Sequence, residues 1–187
     1  MILDAEEHRP KEGGPSFSLS NRMHRAVWMI SWWAIAAWTP PFLRCWRRVV
    51  LRLFGAKISS TANVYGSAKI WLPRNLRMDE HSCLGPDVIC YNMAPITIEA
   101  YATVSQRAHL CAGTHDIDHE AFQLYARPIL VKEHAWIAAE AFVGPGVTIG
   151  EYAVLGARGV AFKALEPGIV YAGNPAKPIR ERRDRLI

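Results

Sequence analysis

The sequence predicts a parallel β-helix, in which short strands wind into stacked triangular coils. Two observations predict this fold: an aliphatic residue recurs at every sixth position, and a small residue lies four positions after most of these residues. Helices repeat about every 3.6 residues and two-faced strands every second residue, so neither produces a period of six. Three hexads close one coil, and fifteen hexads, within residues 57–166, build about five coils. The fifteen recurring residues, called heads below, are Ile58, Val64, Ile70, Met78, Leu84, Cys90, Ile98, Val104, Leu110, Val131, Ile137, Val143, Ile149, Leu155 and Ala161.

A helical segment is predicted before the coils. Residues 1–20 contain several Pro and Gly and predict a flexible leader. Residues 21–56 are rich in Trp and Arg, and their apolar run Val27–Trp38 is shorter than the roughly 20 residues that cross a bilayer as a helix. A second helix, Phe42–Phe54, is predicted between two prolines and Gly55.

The helical segment is also strongly cationic. Residues 13–78 contain ten Lys or Arg and no Asp or Glu, whereas the whole chain carries only +5. The second helix places Phe42, Trp46, Val49 and Leu53 on one face and its arginines elsewhere. A basic amphipathic hairpin with tryptophans suits an anionic membrane surface, and it equally suits packing against the coils or a sister subunit. Nucleic acid is not an expected partner, because tryptophans at helical spacing are typical of a core or an interface.

Cysteine usage predicts a cytoplasmic protein. The four cysteines have no C-x-x-C spacing, which favours reduced thiols over disulfides or a zinc ribbon. The apolar run starts late and ends in prolines rather than in the small residues of a signal-peptide cleavage site.

Three interruptions of the six-residue period indicate where a functional site lies. Two extra residues follow the hexads 70–75 and 90–95, and fifteen residues, 116–130, follow the hexad 110–115. Each insertion comes after the third hexad of a coil, so all should leave the prism along one edge. A long loop without its own period is usually functional. A short C-terminal tail, 167–187, follows the last coil.

The chain resembles the hexapeptide-repeat O-acetyltransferases, in particular the colanic-acid-biosynthesis type, which is related to the galactoside, maltose and nodulation acetyltransferases. Besides the hexads, the resemblance lies in Gly-Thr-His-Asp at 113–116, Ala-Trp-Ile at 135–137 and Gly-Asn-Pro-Ala-Lys at 173–177, and it extends over about residues 42–182. It implies a left-handed coil, against the general right-handed rule for parallel crossovers. It also implies a homotrimer that binds acetyl-coenzyme A between adjacent prisms.

His115 is the predicted catalytic residue. Transfer of an acetyl group from a thioester to a sugar hydroxyl requires a base, and histidine, with an ordinary pKa of about 6.5, is suitable near neutrality. His115 ends a hexad at the point where the chain leaves the prism, and the resemblance implies that it is this base. Either Asp116 or Glu120 is placed to orient its ring. A backbone N–H group of a coil turn is expected to stabilise the oxyanion.

The resemblance also implies residues that bind the acceptor and the acyl donor. Asn92, one coil from His115, and Arg127, in the loop, are the expected acceptor contacts. Cations suit the phosphates of coenzyme A, and backbone groups suit the rest. The expected donor-binding residues are Trp136, Ala139, Ala157, Lys163, Lys177 and Arg180. Three positions depart from the family pattern, which usually has Gly at Ala138, a small polar residue at Phe162 and Asp at Ala164.

Two other functions compete with this interpretation. A non-catalytic β-helix that docks on a membrane or a partner has the same hexads. The γ-class carbonic anhydrases share the solenoid and bind zinc through three histidines, which directs attention to His81, His115 and His119. Zinc ligands must converge, yet His81 lies in a first hexad and His115 ends a third hexad. The segment 173–177 also favours the transferase, for which no metal is expected.

Overall fold

Three sheets, whose strands are parallel except for one antiparallel strand at the C-terminal end, form the faces of a prism in the computed structural model, which describes residue 11 and residues 13–183. The first face contains β1 (Lys57–Ile58), β4 (Leu76–Met78), β7 (Ile96–Ile98), β12 (Ile129–Val131) and β15 (Thr148–Ile149). The second face contains β2 (Asn63–Val64), β5 (Cys83–Leu84), β8 (Thr103–Val104), β13 (Trp136–Ile137), β16 (Val154–Leu155), β18 (Ile169–Ala172) and β19 (Lys177–Glu181). The third face contains β3 (Lys69–Ile70), β6 (Ile89–Tyr91), β9 (His109–Cys111), β14 (Phe142–Val143) and β17 (Val160–Ala161). A separate antiparallel hairpin joins β10 (Gly113–His115) to β11 (Leu124–Ala126).

The heads of successive coils lie in register, which confirms the predicted β-helix. Ile58 pairs with Met78, and Met78 pairs with Ile98 on the next coil. All fifteen heads are buried in one continuous core. Five coils are complete, and β18 begins a partial sixth, in which Tyr171 pairs with Leu155. The predicted tail 167–187 therefore contains a strand pair, β18 and β19, whereas residues 184–187 lie outside the described part of the chain.

The small residues of the hexads lie directly after sharp corners. Most corners have a residue with positive φ three positions after a head, and its N–H donates to the coil below, as from Tyr101 to the Glu80 carbonyl at 2.9 Å. The next residue, for example Ala102, turns inward and is fully buried. Positive φ is uncommon outside glycine, so stacked hydrogen bonds must hold these corners. The non-glycine corner residues with positive φ are His81, Asp87, Tyr101, Arg107, His134, Glu140, Tyr152 and Arg158.

Two helices precede the coils: α1 (Leu19–Ile35) and, after a short 3₁₀ turn, α2 (Arg44–Leu53). The predicted leader 1–20 lies largely outside the described residues, and its described end includes Ser18, which caps α1 by accepting from the Asn21 N–H at 3.3 Å. Two buried tryptophans fix α1 to the first coil: Trp28 Nε1 donates to the Ile70 carbonyl at 2.7 Å, and Trp32 Nε1 to the Gly66 carbonyl at 3.1 Å.

Helix α2 closes the open end of the β-helix with its arginines. In the first coil the N–H groups of Ser59, Asn63 and Tyr65 donate to carbonyls of the second coil, so first-coil carbonyls that point the other way have no preceding coil to pair with. Arg47 Nε donates to the Val64 carbonyl at 2.7 Å, Arg48 Nη1 to the Ala62 carbonyl at 3.0 Å, and Arg52 Nε to the Ile58 carbonyl at 2.9 Å. The Arg47 residue is only 2% exposed, and burial lowers its pKa.

This arrangement turns the apolar face of α2 toward the outside. Leu53 is 78% exposed, and Trp46 and Val49 on the same face are also exposed. Phe42, in the 3₁₀ turn before the helix, is likewise 78% exposed. Of the two interpretations left open by the sequence, packing against the coils therefore holds for Arg47 and Arg48, which are buried against the first coil. No helix in the described part of the chain is both long and apolar enough to cross a bilayer.

The exposed apolar residues of the two helices and their connection form a surface that we call the apolar helical surface. It comprises Leu19, Met23, Val27, Met29, Ile30, Trp33, Ile35, Trp38, Phe42, Leu43, Trp46, Val49 and Leu53.

Candidate active site

The three insertions stack along the edge that follows the third face, as the sequence predicts. Asn75 Nδ2 donates to the carbonyls of Asn92 at 3.1 Å and Met93 at 2.8 Å, which connects the segments that precede the first and second insertions. Gly113 lies against the second of these segments, because a Cβ atom there would be 2.2 Å from Met93 Sδ. The long insertion forms much of the β10–β11 hairpin, in which His115 pairs with Leu124.

The imidazole of His115 is held by two contacts with Phe122. Its Nδ1 lies 2.9 Å from the Phe122 carbonyl oxygen, and the two rings stack with centroids 4.3 Å apart and an interplanar angle of 11°. Because a carbonyl oxygen only accepts hydrogen bonds, Nδ1 must carry the proton. The neutral ring then has its lone pair on Nε2, which is the form a general base needs.

The Asp116 carboxylate accepts a hydrogen bond from Asp118 and not from the His115 ring. Its Oδ1 accepts from the Asp118 N–H at 3.1 Å and its own N–H donates to the Gln123 carbonyl at 2.8 Å. A backbone carbonyl thus takes the place at Nδ1 that the sequence assigned to Asp116 or Glu120. No signal in the sequence identifies it, since any residue type at position 122 supplies the same atom.

Asn92 is fully buried, at 0% exposure, and does not present its amide to solvent. Its Oδ1 accepts from the Leu72 N–H at 3.0 Å, and its Nδ2 donates to the Leu72 carbonyl at 2.7 Å. The amide therefore replaces a backbone peptide where the first two insertions stack. The burial of this amide favours a positioning role for Asn92 over direct contact with the acceptor hydroxyl.

Arg127 lies at the far end of the same hairpin as His115. Its N–H donates to the Ala112 carbonyl at 2.9 Å, and its exposed guanidinium stands over the Tyr125 ring at 5.3 Å. Its side chain also runs beside Gly146 of the next coil. The hairpin thus brings a cation and the His115 imidazole to one edge of the prism.

The expected donor-binding residues lie on the later coils. Trp136 is exposed on the second face and donates from Nε1 to Ser105 Oγ at 2.8 Å. Ala139 and Ala157 occupy equivalent places on neighbouring coils, where the Arg158 N–H donates to the Ala139 carbonyl at 2.9 Å.

The three expected cations are exposed near the C-terminal end. Lys177 and Arg180 lie on β19, and Arg180 Nη1 donates to the Glu181 carbonyl at 2.8 Å. Lys163 follows the third face instead, so a single chain distributes the expected donor-binding residues over two faces. Of the positions that depart from the family pattern, Phe162 is exposed and covers Gly144, where a Cβ atom would be 2.9 Å from its ring.

The described residues include no group of three or more His, Cys, Asp or Glu side chains that could hold a metal ion. His81, one of the histidines considered for zinc, instead stacks on Tyr101, with centroids 5.0 Å apart, at a corner that follows the first face. His119 accepts from the Ala121 N–H at 3.1 Å within the hairpin tip.

Comparisons with known proteins agree on one family. No model of a protein family matches the sequence. The chain is 44% identical over 155 residues to WcaF of Escherichia coli K12, a protein assigned to colanic acid biosynthesis as an acetyltransferase, and the match covers 81% of this chain and 85% of WcaF. It is 33% identical over 93 residues to the galactoside O-acetyltransferase of the same organism, which covers 48% of this chain and 46% of the relative.

Solved structures share the fold at low sequence identity. A hexapeptide-repeat acetyltransferase of Vibrio cholerae complexed with acetyl-coenzyme A superposes with a TM-score of 0.78 at 21% identity, covering 91% of this chain and 93% of that chain. The galactoside acetyltransferase in complex with coenzyme A gives a TM-score of 0.76 at 21% identity, with coverages of 92% and 87%. Together with the extended identity to WcaF, these findings confirm the resemblance read from the hexads. The chain therefore belongs to the hexapeptide-repeat acetyltransferases, in the group that contains WcaF.

Proposed function

We propose that the protein transfers an acetyl group from acetyl-coenzyme A to a hydroxyl of a sugar. The observation that carries this proposal is the His115 ring, whose Nδ1–H is fixed on the Phe122 carbonyl so that Nε2 is free to accept a proton. The acceptor is a precursor of an exopolysaccharide or another cell-surface glycan, since the WcaF relative is assigned to colanic acid biosynthesis. Structural neighbours bound to coenzyme A and acetyl-coenzyme A support the donor.

His115 acts as a general base in this mechanism. Its Nε2 accepts the proton of the acceptor hydroxyl while the hydroxyl oxygen bonds to the carbonyl carbon of the thioester. The carbon–sulfur bond then breaks, and the imidazolium returns the proton to the departing sulfur, which gives an acetyl ester and a free thiol. The Phe122 carbonyl accepts from Nδ1 throughout and stabilises the imidazolium as it forms.

Three residues near His115 have different roles in this mechanism. Arg127 contacts the acceptor from the end of the hairpin. Asn92 is a positioning residue, because its amide joins two stacked insertions beneath Gly113, and Asp116 holds the hairpin tip through Asp118.

The donor lies between adjacent copies of the chain in a homotrimer. Trp136, Ala139 and Ala157 line its path. Lys163, Lys177 and Arg180 are the exposed cations for its phosphates, and their distribution over two faces of one chain supports a site that two copies share.

The test is the transfer activity of His115→Gln, measured as release of free thiol from acetyl-coenzyme A with a panel of monosaccharides and glycolipid extracts. The variant should lose about 10²- to 10⁴-fold in kcat while its KM for acetyl-coenzyme A stays unchanged, since only the base is removed. The matched control is His119→Gln, four residues away in the hairpin, which should retain full activity. Unchanged activity of His115→Gln would exclude His115 as the base, and absence of transfer activity in the unchanged protein would favour the non-catalytic scaffold.

We also propose a location in the cytoplasm with peripheral contact to an anionic membrane. The apolar helical surface supplies the apolar contact, and the exposed Arg22 and Arg44 supply positive charge, in a region without carboxylates. The protein should sediment with phosphatidylglycerol vesicles and less with phosphatidylcholine vesicles. Leu53→Glu should weaken sedimentation and Ile179→Glu, on β19, should not. A protein that stays in the supernatant with both vesicles would remove this proposal.

A further inference from the structure

An apolar groove lies between α1 and the third face, outside the site described above. Its volume is about 430 Å³, within the range of about 300–1,000 Å³ that is usual for small-molecule sites. Aromatic and aliphatic side chains form most of its walls. Those that matter here are Trp28, Trp32 and Trp33 of α1, and Trp71, Ile89 and Tyr91 of the third face.

The groove exists because α1 is fixed to the first coil and not to the second. Trp28 and Trp32 hold α1 at the Ile70 and Gly66 carbonyls, and Gly66 lies so close that a Cβ atom there would be 2.3 Å from the Ala37 carbonyl. The outward side chains of the second coil, Ile89 and Tyr91, are therefore left uncovered beside the helix.

Positive charge borders the apolar walls. Lys69 lines the groove, and the Arg25 guanidinium lies 4.3 Å from the centroid of the Trp71 ring. Residues 13–78 contain no Asp or Glu, and neither cation forms an ion pair within the described residues. The carboxylate of Asp87 stands at the corner beside Ser67, to whose Oγ the Asp87 N–H donates at 3.0 Å. A ligand that fits this combination has an apolar chain and an anionic group such as a phosphate.

One end of the groove reaches the apolar helical surface and the other points toward the His115 hairpin. Met29 and Trp33 belong to both the groove and that surface. On the third face Trp71 contacts Tyr91, with ring centroids 5.5 Å apart, and Tyr91 pairs with Cys111 on the next coil. Each coil advances by one strand spacing of about 4.8 Å, and the chain after Cys111 enters the hairpin.

We propose that the groove binds the hydrocarbon chain of a lipid-linked acceptor, with its phosphate beside Lys69 and Arg25 and its sugar directed toward His115. This inference rests on the proposed acetylation of a glycan precursor and names the form in which that precursor is bound. The continuity with the apolar helical surface gives the chain a route from a membrane into the groove. The cationic border favours an anionic lipid over a second copy of this chain.

The probe is farnesyl phosphate, added below the concentration at which it aggregates, and the readout is isothermal titration calorimetry without acetyl-coenzyme A. We expect saturable binding of one molecule per chain. Ile89→Glu should weaken binding at least about tenfold, because a carboxylate would enter the apolar wall and repel the phosphate. Ile179→Glu, which changes an exposed isoleucine on β19 away from the groove, should bind as the unchanged protein does. Lys69→Met should weaken farnesyl phosphate but leave farnesol unaffected, and inorganic phosphate alone should not compete.

Absence of saturable binding, or equal binding by Ile89→Glu, would overturn the inference. A change of oligomeric state in Ile89→Glu, measured by analytical ultracentrifugation, with no loss of farnesyl phosphate binding would identify the groove as a subunit contact and also overturn it. His115→Gln should bind farnesyl phosphate normally. Failure of the groove is therefore distinguishable from failure of the proposed chemistry, which is measured by acetyl transfer to soluble acceptors.

Discussion

The coils turn apolar heads inward, whereas the helix that caps them buries two arginines beside two apolar residues. In the β-helix every head is apolar and buried, and the outward positions are mostly polar or exposed. In α2 Arg47 and Arg48 are buried together with Val50 and Leu51. Leu53, and Phe42 in the 3₁₀ turn before the helix, face outward. An amphipathic pattern therefore identifies two faces of an element but not which of them is turned inward.

The difference follows from the state of the backbone that each region meets. Inside the prism, neighbouring coils satisfy each other, so apolar burial decides which side chain points inward. At the open end, each unpaired carbonyl costs about 1–3 kcal/mol, and the arginines of α2 satisfy three of them, at Ile58, Ala62 and Val64. Leaving Phe42 or Leu53 exposed forgoes about 1.5–3 kcal/mol each. The free energy gained by pairing the carbonyls is therefore similar in size to the free energy lost by exposing the apolar side chains. The helix can leave its apolar face exposed at little net cost.

Thiol reactivity gives the largest expected contrast between the two regions. Burial raises the pKa of Cys90, a head in the second coil, to about 12, whereas Cys45 is exposed on α2. Relative to an ordinary thiol of pKa about 8.5, a value near 12 lowers the thiolate fraction by about 10³-fold. Peptide mass spectrometry after brief treatment with iodoacetamide should find Cys45 modified and Cys90 intact. Equal modification in the folded protein would contradict the burial of the heads.

Matched leucine truncations test the burial difference directly. Leu110→Ala removes a fully buried head and should lower the free energy of unfolding by about 2–5 kcal/mol. Leu53→Ala, on the exposed face of α2, should change it by no more than about 0.5 kcal/mol. Urea denaturation followed by circular dichroism measures both. A cost for Leu53→Ala as large as that for Leu110→Ala would mean that the apolar face is buried.

Truncating an arginine tests the capping of the open end. Arg47→Met removes hydrogen bonds to the carbonyls of Val64, Thr39 and Pro40 and should cost about 3 kcal/mol in the free energy of unfolding. The exposed Arg44 on the same helix provides the control, because Arg44→Met should lie within about 0.5 kcal/mol of the unchanged protein. Similar stabilities of the two variants would remove the backbone explanation for the inverted helix.

A smaller effect is expected at a corner of the prism. The hydrogen bond from Arg158, and more weakly Arg107, holds the pKa of the exposed Glu140 carboxyl below its ordinary value. The resulting stabilisation is present above the ordinary glutamate pKa of about 4.3 and is lost as the pH falls through the lower folded-state value. Glu140→Gln should therefore show a slightly shallower loss of Tm on acidification. Glu151→Gln, on another corner, should follow the unchanged protein. Identical curves of Tm against pH for the unchanged protein and both variants would contradict a stabilising contact between Glu140 and Arg158.

The sequence predicts a loop after His115, because insertions into a strict period are visible without coordinates, and the structure has the β10–β11 hairpin there. The partner of its Nδ1 was not predictable, because the Phe122 carbonyl is a backbone atom that no residue type announces. The sequence indicated that Asn92 contacts the acceptor, but its amide hydrogen-bonds to the backbone of Leu72. Leu72 lies opposite Asn92 only because of the way the first two coils stack. One wall of the groove was predictable from the sequence. Trp71 and Tyr91 each directly follow a third-face head, so the two aromatic side chains lie on top of each other on that face.

By itself the sequence determined the prism, its coil number and the edge that carries the candidate base, because each depends on a repeat that neighbouring coils impose locally. Only the tertiary structure decided which face of α2 lies inside and where α1 leaves the third face uncovered. Those outcomes depend on carbonyls of the first coil that no other coil pairs with. These unpaired carbonyls exist only once the coils have assembled, so the sequences of the two helices do not reveal them.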